Sequence, residues 1–224
     1  MNDKIHRPQM AGVVACLSRI FNEREYADKC LERQFKAHRQ WGARDRRAVA
    51  EATYEIVRWW RRLLWLCGKD GSEQKITDAQ LWQLLGTWLV LEGKSLPPWP
   101  EFTAVSDSLH LRQKGSPPSP AIMHSVPDWL YEMGLQSMGE ELWAKSLKAL
   151  NSPATVYLRT NTLRTSRKEL CVNLSAQGIG CEEVVGSDVA VALCERKNIF
   201  VTPEFKKGWF ELQDLASHRV GKLV

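Results

Sequence analysis

Hydrophobic residues in the first half of the chain recur at steps of three and four, the period of an amphipathic helix. Pro8 suits the first turn of such a helix. The stripe behind it contains Met10, Val13, Val14, Leu17, Ile20 and Phe21. A second stripe over 27–35 and a third over 45–67 follow the same period, with Asp45 as the predicted N-cap of the third. The pattern therefore predicts at least three helices before residue 68.

The segment after Thr77 and Asp78 is apolar nearly all round, as expected for a central buried helix, and Gly93 can end it. Pro97–Pro100 form a rigid break, and further helical turns are predicted over 102–111. Residues 113–120, QKGSPPSP, have the composition of a linker. Two helices are predicted after it, one from Pro127 to Gly134 and one over 138–150.

From Asn151 the period changes from helical to alternating. In TVYLRTN, residues Val156, Leu158 and Thr160 share one face, which predicts a strand. Ser166 and Glu169 have the spacing of a capping box and predict a helix that closes at Gly178. A hairpin is predicted over 184–193, further strands over 199–201 and 209–212, and a last helix capped by Asp214, with Ala216, Val220 and Val224 on one face.

These elements predict an α+β chain with two parts. An all-helical bundle occupies residues 1–118, and residues 119–224 contain linker helices and a small α/β subdomain with a partly antiparallel sheet. The chain stops on Leu223 and Val224 inside a helical pattern, so we expect a further domain beyond it.

Composition narrows the class of protein only modestly. Of the 224 residues, 44% are hydrophobic and 25% are charged. The sequence has neither a signal peptide nor an apolar run long enough to span a bilayer. We therefore predict a cytoplasmic protein without a membrane partner. The six cysteines are scattered without C-x-x-C spacing, which favours reduced, buried thiols over a zinc site. The net charge of +5 permits a polyanionic partner without requiring one.

The densest basic stretch lies between Arg39 and Arg62, where seven arginines oppose only three acidic residues. Arginine binds phosphate with a planar fork of donors, and Trp41 and Trp59 lie nearby to stack on unpaired bases. Pairs such as Arg47 with Glu51 leave open the alternative that this stretch is a solvent-exposed helix face stabilised by ion pairs. The candidate RNA-contacting residues of this stretch are Arg44, Arg46, Arg47, Arg58, Arg61 and Arg62.

Residues that would carry catalysis do not stand out. The five histidines lack metal-ligand spacing, and the one G-x-G, from Gly178 to Gly180, follows a predicted helix rather than a strand. On the first strand of the second half, Tyr157, Arg159 and Asn161 line up on the polar face. This face can dock RNA or another domain, or simply face water.

Four segments, taken together, resemble a known family. ARDRRAVAEATYEIVRWWRRLLW, from Ala43 to Trp65, resembles the Asp-Arg-Arg … Tyr-x-x-x-Arg-Trp helix of the NusB-type domain, with Glu55 where members often carry Gly. VYLRTNTLRTSRKELCVNLSAQGI and GWFELQDLASHRVGKLV resemble segments of RNA cytosine-5 methyltransferases of the Sun/RsmB type. HSVPDWLYEMGL resembles their His-Pro-x-Trp-Leu helix, with Val126 inserted.

The resemblance implies a NusB-like RNA-binding domain in front of a subdomain that leads into an absent catalytic domain. That domain would bind S-adenosylmethionine and carry cysteines in Pro-Cys or Cys-Pro contexts, and none of the six cysteines here has a proline neighbour. The partners that the resemblance implies are RNA, in this family ribosomal RNA, and the chain's own missing C-terminal catalytic domain. Catalytic, cofactor-binding and metal-binding residues are not expected within these 224 residues.

The resemblance also assigns roles to residues of the second half. Arg159 and Asn161 would contact RNA or the catalytic domain, whereas Gln213, Asp214 and Ser217 would order the junction with the cofactor domain. The chain is therefore predicted to be the RNA-recognition region of an rRNA 5-methylcytosine methyltransferase. Two alternatives remain open at this point: a free-standing NusB-like or antitermination-type RNA-binding module, and a scaffold whose basic helix meets an acidic protein.

Overall fold

The computed structural model describes residues 5–69, 75–103, 105 and 119–221. The chain divides into two compact units, residues 1–151 and residues 152–224. The predicted boundary between residues 118 and 119 falls at the edge of a segment outside the described residues. Among the described helices, none is both long and apolar enough to cross a membrane.

The first unit is helical. Its helices are α1 (Arg7–Glu23), α2 (Ala27–Ala37), α3 (Ala43–Arg58), α4 (Trp60–Leu66), α5 (Asp78–Leu91), α6 (Pro120–Met123) and α7 (Asp128–Leu150), with a 3₁₀ turn over Pro100–Phe102. The stripes predicted for α1 and α2 are confirmed, because each buries its apolar face in one shared core, and α5, predicted to be apolar nearly all round, contributes to the same core. Thr77 caps α5 through a side chain that accepts from the Gln80 amide.

The predicted third helix is wrong in one respect, since it is two helices. Trp59, with φ −99° and ψ 14°, separates α3 from α4. Asp45 is also not the N-cap: Gly42 takes that place, and the Asp45 carboxylate accepts a 3.2 Å hydrogen bond from the Gly42 amide. The sequence alone favoured one helix because the apolar period continues through Trp59.

Helix α7 is broken at a different glycine from the one predicted. The chain turns at Gly139, whose φ of 73° and ψ of 167° are open to glycine almost alone. Gly134, the predicted stop, lies inside the helix, where a Cβ would come within 2.3 Å of the Trp143 ring. Gly134 is therefore a packing residue, and Gly139 is the turn.

The second unit is a four-stranded sheet with helices. Its elements are β1 (Tyr157–Thr160), α8 (Arg167–Ala176), β2 (Cys181–Glu183), β3 (Ala190–Leu193), α9 (Pro203–Lys206), β4 (Phe210–Leu212) and α10 (Leu215–Val220). The strand order is β2-β3-β1-β4, and every pair is antiparallel. This is a β-α-β-β-α-β, or ferredoxin-like, arrangement. Its core contains Leu158, Leu170, Leu174, Ile179, Val191, Leu193, Ile199 and Phe210.

Two local predictions for this unit are wrong. Ile199–Val201 form a 3₁₀ turn rather than a strand, since the Asn198 side chain caps the Phe200 amide and Pro203 starts α9. In α10, Asp214 caps the helix as predicted, but the buried residue is His218, whereas Ala216 and Val220 are exposed. A six-residue helix is too short for its apolar spacing to define the inward face.

The cysteines are reduced, as expected, although not all are buried. Cys16, Cys30 and Cys67 lie in the core of the first unit, Cys171 and Cys181 are half-buried, and Cys194 is exposed. Burial raises the pKa of the Cys16 thiol to about 12, so this thiol stays protonated at neutral pH.

Candidate nucleic-acid interface

The start of α3 is anchored in the core, and this anchoring decides where its arginines lie. Trp41, which precedes the helix, is 5% exposed, and its ring packs so closely on Gly12 that a Cβ there would lie 2.6 Å away. The Arg46 guanidinium donates through Nε to the Trp41 carbonyl at 2.9 Å and lies 5.6 Å from the Phe35 ring centroid. Arg46 therefore fastens α3 to the protein.

Arg44 and Arg47 occupy the other side of the same turn. Both are exposed, and both line a cavity of about 510 Å³ between α1, α3 and α5. Lys94 borders this cavity too, with its ammonium 5.1 Å from the Trp88 ring centroid. Two acidic residues, Asp45 and Glu51, lie on the same wall, and the Asp45 carboxylate is engaged by the Gly42 amide. Among the described residues, the lining of this cavity therefore contains three basic side chains, Arg44, Arg47 and Lys94, and two acidic ones.

The arginines at the end of α3 and in α4 contact the protein. Arg61 makes a forked ion pair with Asp128 at 3.0 Å, and its guanidinium also donates to the Val126 carbonyl. Arg58 donates to the Leu150 carbonyl at 3.1 Å, at the last residue of α7. These contacts tie α3 and α4 to α7, because Asp128 begins that helix and Leu150 ends it.

Arg62 lies beside the indole of Trp59, with its guanidinium carbon 5.6 Å from the ring centroid. Both residues line a smaller cavity of about 240 Å³, which Trp88 also borders. The six predicted arginines therefore divide into two groups. Arg44, Arg47 and Arg62 line open cavities, whereas Arg46, Arg58 and Arg61 hold the helices together.

In the second unit, Arg159 and Asn161 have different surroundings. Arg159 is exposed on β1 and reaches the Gln213 side chain at 3.5 Å. The Asn161 amide donates to the Gly208 carbonyl at 2.9 Å, and its side-chain oxygen accepts from the Leu163 amide. Asn161 therefore shapes the turn after β1, and Arg159 is the one of the two that is open to a partner.

A basic cluster that the sequence reasoning did not single out lies next to that turn. Arg164 donates to the Lys207 carbonyl at 2.7 Å, and the Lys207 ammonium lies 5.3 Å from the Trp209 ring centroid. Arg164, Lys206 and Lys207 are all exposed. No sequence signal indicates the cluster, since more than forty residues separate Arg164 from Lys207 along the chain.

The predicted junction residues lie at the start of α10. The Gln213 amide donates to the Tyr157 carbonyl at 3.2 Å, the Asp214 carboxylate caps the Ala216 amide at 2.9 Å, and Ser217 is exposed. His218 beside them is 7% exposed, and neither of its ring nitrogens has a hydrogen-bond partner among the described residues. Burial first, and then the positive charge of Arg159, lower the pKa of His218.

His218 predicts a pH dependence for the second unit. Because the pKa of His218 is lower in the folded chain, the unfolded chain binds more protons below about pH 6.5. We expect the stability of this unit to fall as the pH drops from 7.5 to 5.5, and His218→Gln to flatten that slope. Hydrogen exchange of the β1 and β4 amides at several pH values measures it, and an unchanged slope in the variant would contradict the assignment.

The glycine pair at Gly178 and Gly180 lies between α8 and β2. Gly178 has a φ of 74°, and a Cβ added to Gly180 would be in ordinary contact with Cys194 at 3.4 Å. The Gly178 carbonyl is taken by the Lys197 ammonium. The pair joins α8 to β2 and acts as a turn between them.

Comparison with known proteins agrees with this topology. Residues 126–199 match the family model for the ferredoxin-like domain of RsmF/B-like methyltransferases. The match includes the first three strands of the sheet, and β4 follows it in the chain. The chain is also similar to a solved structure, the crystal structure of PH0851, with a TM-score of 0.53. The superposition covers 97% of this chain and 55% of the PH0851 chain. At 16% sequence identity, it shows similarity of fold alone.

Two curated relatives carry the same name, ribosomal RNA small subunit methyltransferase B. The protein from Photorhabdus laumondii is 29% identical over 101 residues, and the one from Proteus mirabilis is 26% identical over 98 residues. These segments cover 45% and 44% of this chain but only 23% of each relative. Residues 126–199 are thus similar to the ferredoxin-like domain of RsmF/B-like methyltransferases, and part of the chain is similar to the ribosomal RNA small subunit methyltransferases B.

Proposed function

We propose that this chain is the RNA-recognition part of an S-adenosylmethionine-dependent methyltransferase that makes 5-methylcytosine in ribosomal RNA. The observation that carries the proposal is the exposed pair Arg44 and Arg47 beside an open cavity, in a chain that also has an RsmF/B-like domain. Guanidinium groups in this setting suit phosphate oxygens, which supply most of the affinity for RNA.

In this proposal the helical unit is NusB-like and grips RNA that flanks the target. Chemistry on a base requires that base to be unpaired or flipped out, so an accessory unit that holds neighbouring phosphates helps to position it. Arg159 and the cluster of Arg164, Lys206 and Lys207 give the second unit a basic surface of its own. Gln213, Asp214 and Ser217 would order the start of a following catalytic domain, which would act in the cytoplasm with the rest of the protein.

In this proposal a following catalytic domain would bind the methyl donor. The Gly178–Gly180 turn follows helix α8 rather than a strand, and its Gly178 carbonyl accepts from the Lys197 ammonium, so we do not propose it as the binding loop. The purified chain is expected to transfer no methyl group from labelled S-adenosylmethionine to RNA, and incorporation of label would contradict this part of the proposal.

Replacing Arg44 and Arg47 together with alanine tests the RNA-binding role. Each lost phosphate contact on a single strand should reduce the slope of log affinity against log salt by about 0.7, so the pair should reduce it by about 1.4. Affinity for a fragment of small-subunit ribosomal RNA should fall accordingly at low salt, measured by fluorescence anisotropy.

The matched control replaces Arg46 with alanine on the same helix turn. Because Arg46 binds the Trp41 carbonyl and the Phe35 ring, its loss should lower stability more than the salt slope. Equal salt slopes for the wild-type chain and the Arg44/Arg47 variant would remove these residues from the interface. If an acidic peptide displaced the bound RNA as well as unlabelled RNA does, a protein partner would be favoured instead.

A further inference from the structure

The smaller cavity, between the α3–α4 junction and the end of α5, is lined differently from the larger one. Its volume is about 240 Å³. Among the described residues, its lining has one basic and one acidic side chain, Arg62 and Glu92, and the other members are apolar or aromatic: Trp59, Leu63, Trp88 and Leu91. Because the two charges offset each other, this slot suits a neutral ring system better than an anion.

Trp59 is fixed in position within this lining. Its indole Nε1 donates to the Glu55 carboxylate at 3.2 Å, and the guanidinium carbon of Arg62 lies 5.6 Å from its ring centroid. Trp59 is only half-buried, so part of its surface is open to a ligand. Stacking on an aromatic ring or a guanidinium plane uses accessible surface and requires no buried polar atom. Trp59 and Arg62 together therefore provide a preorganised platform for a flat ring.

The slot adjoins the larger cavity between α1, α3 and α5. Trp88 lines both, and the Lys94 ammonium, 5.1 Å from the Trp88 ring centroid, lies in the lining of the larger one together with Arg47. A neutral, largely apolar slot thus lies beside a cavity that has more basic than acidic side chains. A nucleotide has the same two parts, a flat neutral base and an anionic phosphate, joined by a sugar.

We propose that the slot binds one unpaired base of the RNA by stacking on Trp59 and Arg62, while a neighbouring phosphate lies in the larger cavity near Arg47 and Lys94. The inference rests on the proposed RNA-binding function and adds a contact with a base to it. The base must be unpaired, because in a duplex its faces are already stacked on its neighbours. Every base has a π-face, so the slot favours single strands over duplexes and does not select a sequence.

Replacing Trp59 with alanine tests the slot in the whole chain. Its affinity for a single-stranded RNA of about ten nucleotides should fall by about five- to 150-fold, the usual value of one stacked base. The slope of log affinity against log salt should stay at the wild-type value, because stacking releases no counterions. Trp59→Phe keeps an aromatic ring and should recover most of the affinity. Fluorescence anisotropy at several salt concentrations measures both quantities.

Trp60→Ala is the matched control, since Trp60 is the next residue, packs on the Phe21 ring at a centroid distance of 5.4 Å and is not part of the slot's lining. Its loss should lower the free energy of unfolding and leave the RNA affinity of the folded chain unchanged. Heparin, a polyanion without bases, is the control ligand. Trp59→Ala should bind heparin as tightly as the wild type does.

The outcomes separate this inference from the function on which it rests. If Arg44/Arg47 replacement reduces the salt slope but Trp59→Ala binds the single strand like the wild type, the base slot is wrong and the phosphate surface stands. If Trp59→Ala loses affinity for heparin and for RNA by the same factor, Trp59 supports the helices rather than a base, and the slot is again overturned. If the Arg44/Arg47 variant binds RNA like the wild type, the proposed function itself fails.

Discussion

Replacing Phe210 with alanine should destabilise the ferredoxin-like unit by about 3–5 kcal/mol, the usual loss for a fully buried phenylalanine. Phe210 lies on β4, is 0% exposed and packs with the Phe205 ring at a centroid distance of 5.6 Å. Its removal leaves a cavity in a core whose other buried members, among the described residues, are leucine, isoleucine and valine. Hydrogen exchange of the β1 and β3 amides measures the loss, because these strands form the centre of the sheet.

Phe200 provides a matched control for that variant. It also contacts Phe205, at a centroid distance of 5.1 Å, but it is 53% exposed. Phe200→Ala should therefore cost less than about 1 kcal/mol, since most of its surface already meets water. Equal losses for the two variants would mean that Phe210 does not form the centre of this core.

Replacing Leu85 with alanine should destabilise the helical unit by about 2–5 kcal/mol. Leu85 is 0% exposed on α5, a helix that is buried nearly all round, so the vacated space has no solvent to fill it. Leu91→Ala on the same helix is the control, because Leu91 is 40% exposed. Urea unfolding followed by tryptophan fluorescence reports this unit, and a loss below about 1 kcal/mol for Leu85→Ala would contradict the assignment of α5 as its central helix.

Sites and secondary structure were predictable to different degrees, and α3 shows why. Its helical period and its cluster of arginines are local properties, and both are visible in the sequence. Which arginine faces outward is not local: Arg61 meets Asp128 more than sixty residues later, and Arg46 meets the Trp41 carbonyl. An arginine that contacts the protein and one that is available to RNA look alike until the partners are in place.

Trp88 shows that the sequence also could not predict the cavity between α1, α3 and α5. Trp88 reads as a core residue in an apolar helix, and it is one, with 6% of its surface exposed. Its second property, a place in the lining of the cavity between α1, α3 and α5, depends on how these helices pack, and Gln9 in the same lining lies in another helix almost eighty residues earlier. Sequence spacing within one helix contains no information about that arrangement.

The sequence by itself determined the class of fold, the amphipathic helices α1 and α2, the buried helix α5, the strand β1 and the cap of α10, since these follow from period and local hydrogen bonding. The tertiary structure decided the break at Trp59, the turn at Gly139, the burial of His218 and the division of the arginines. The physical reason is that these features are settled by which distant surfaces meet, and the free energy of such contacts outweighs local preference.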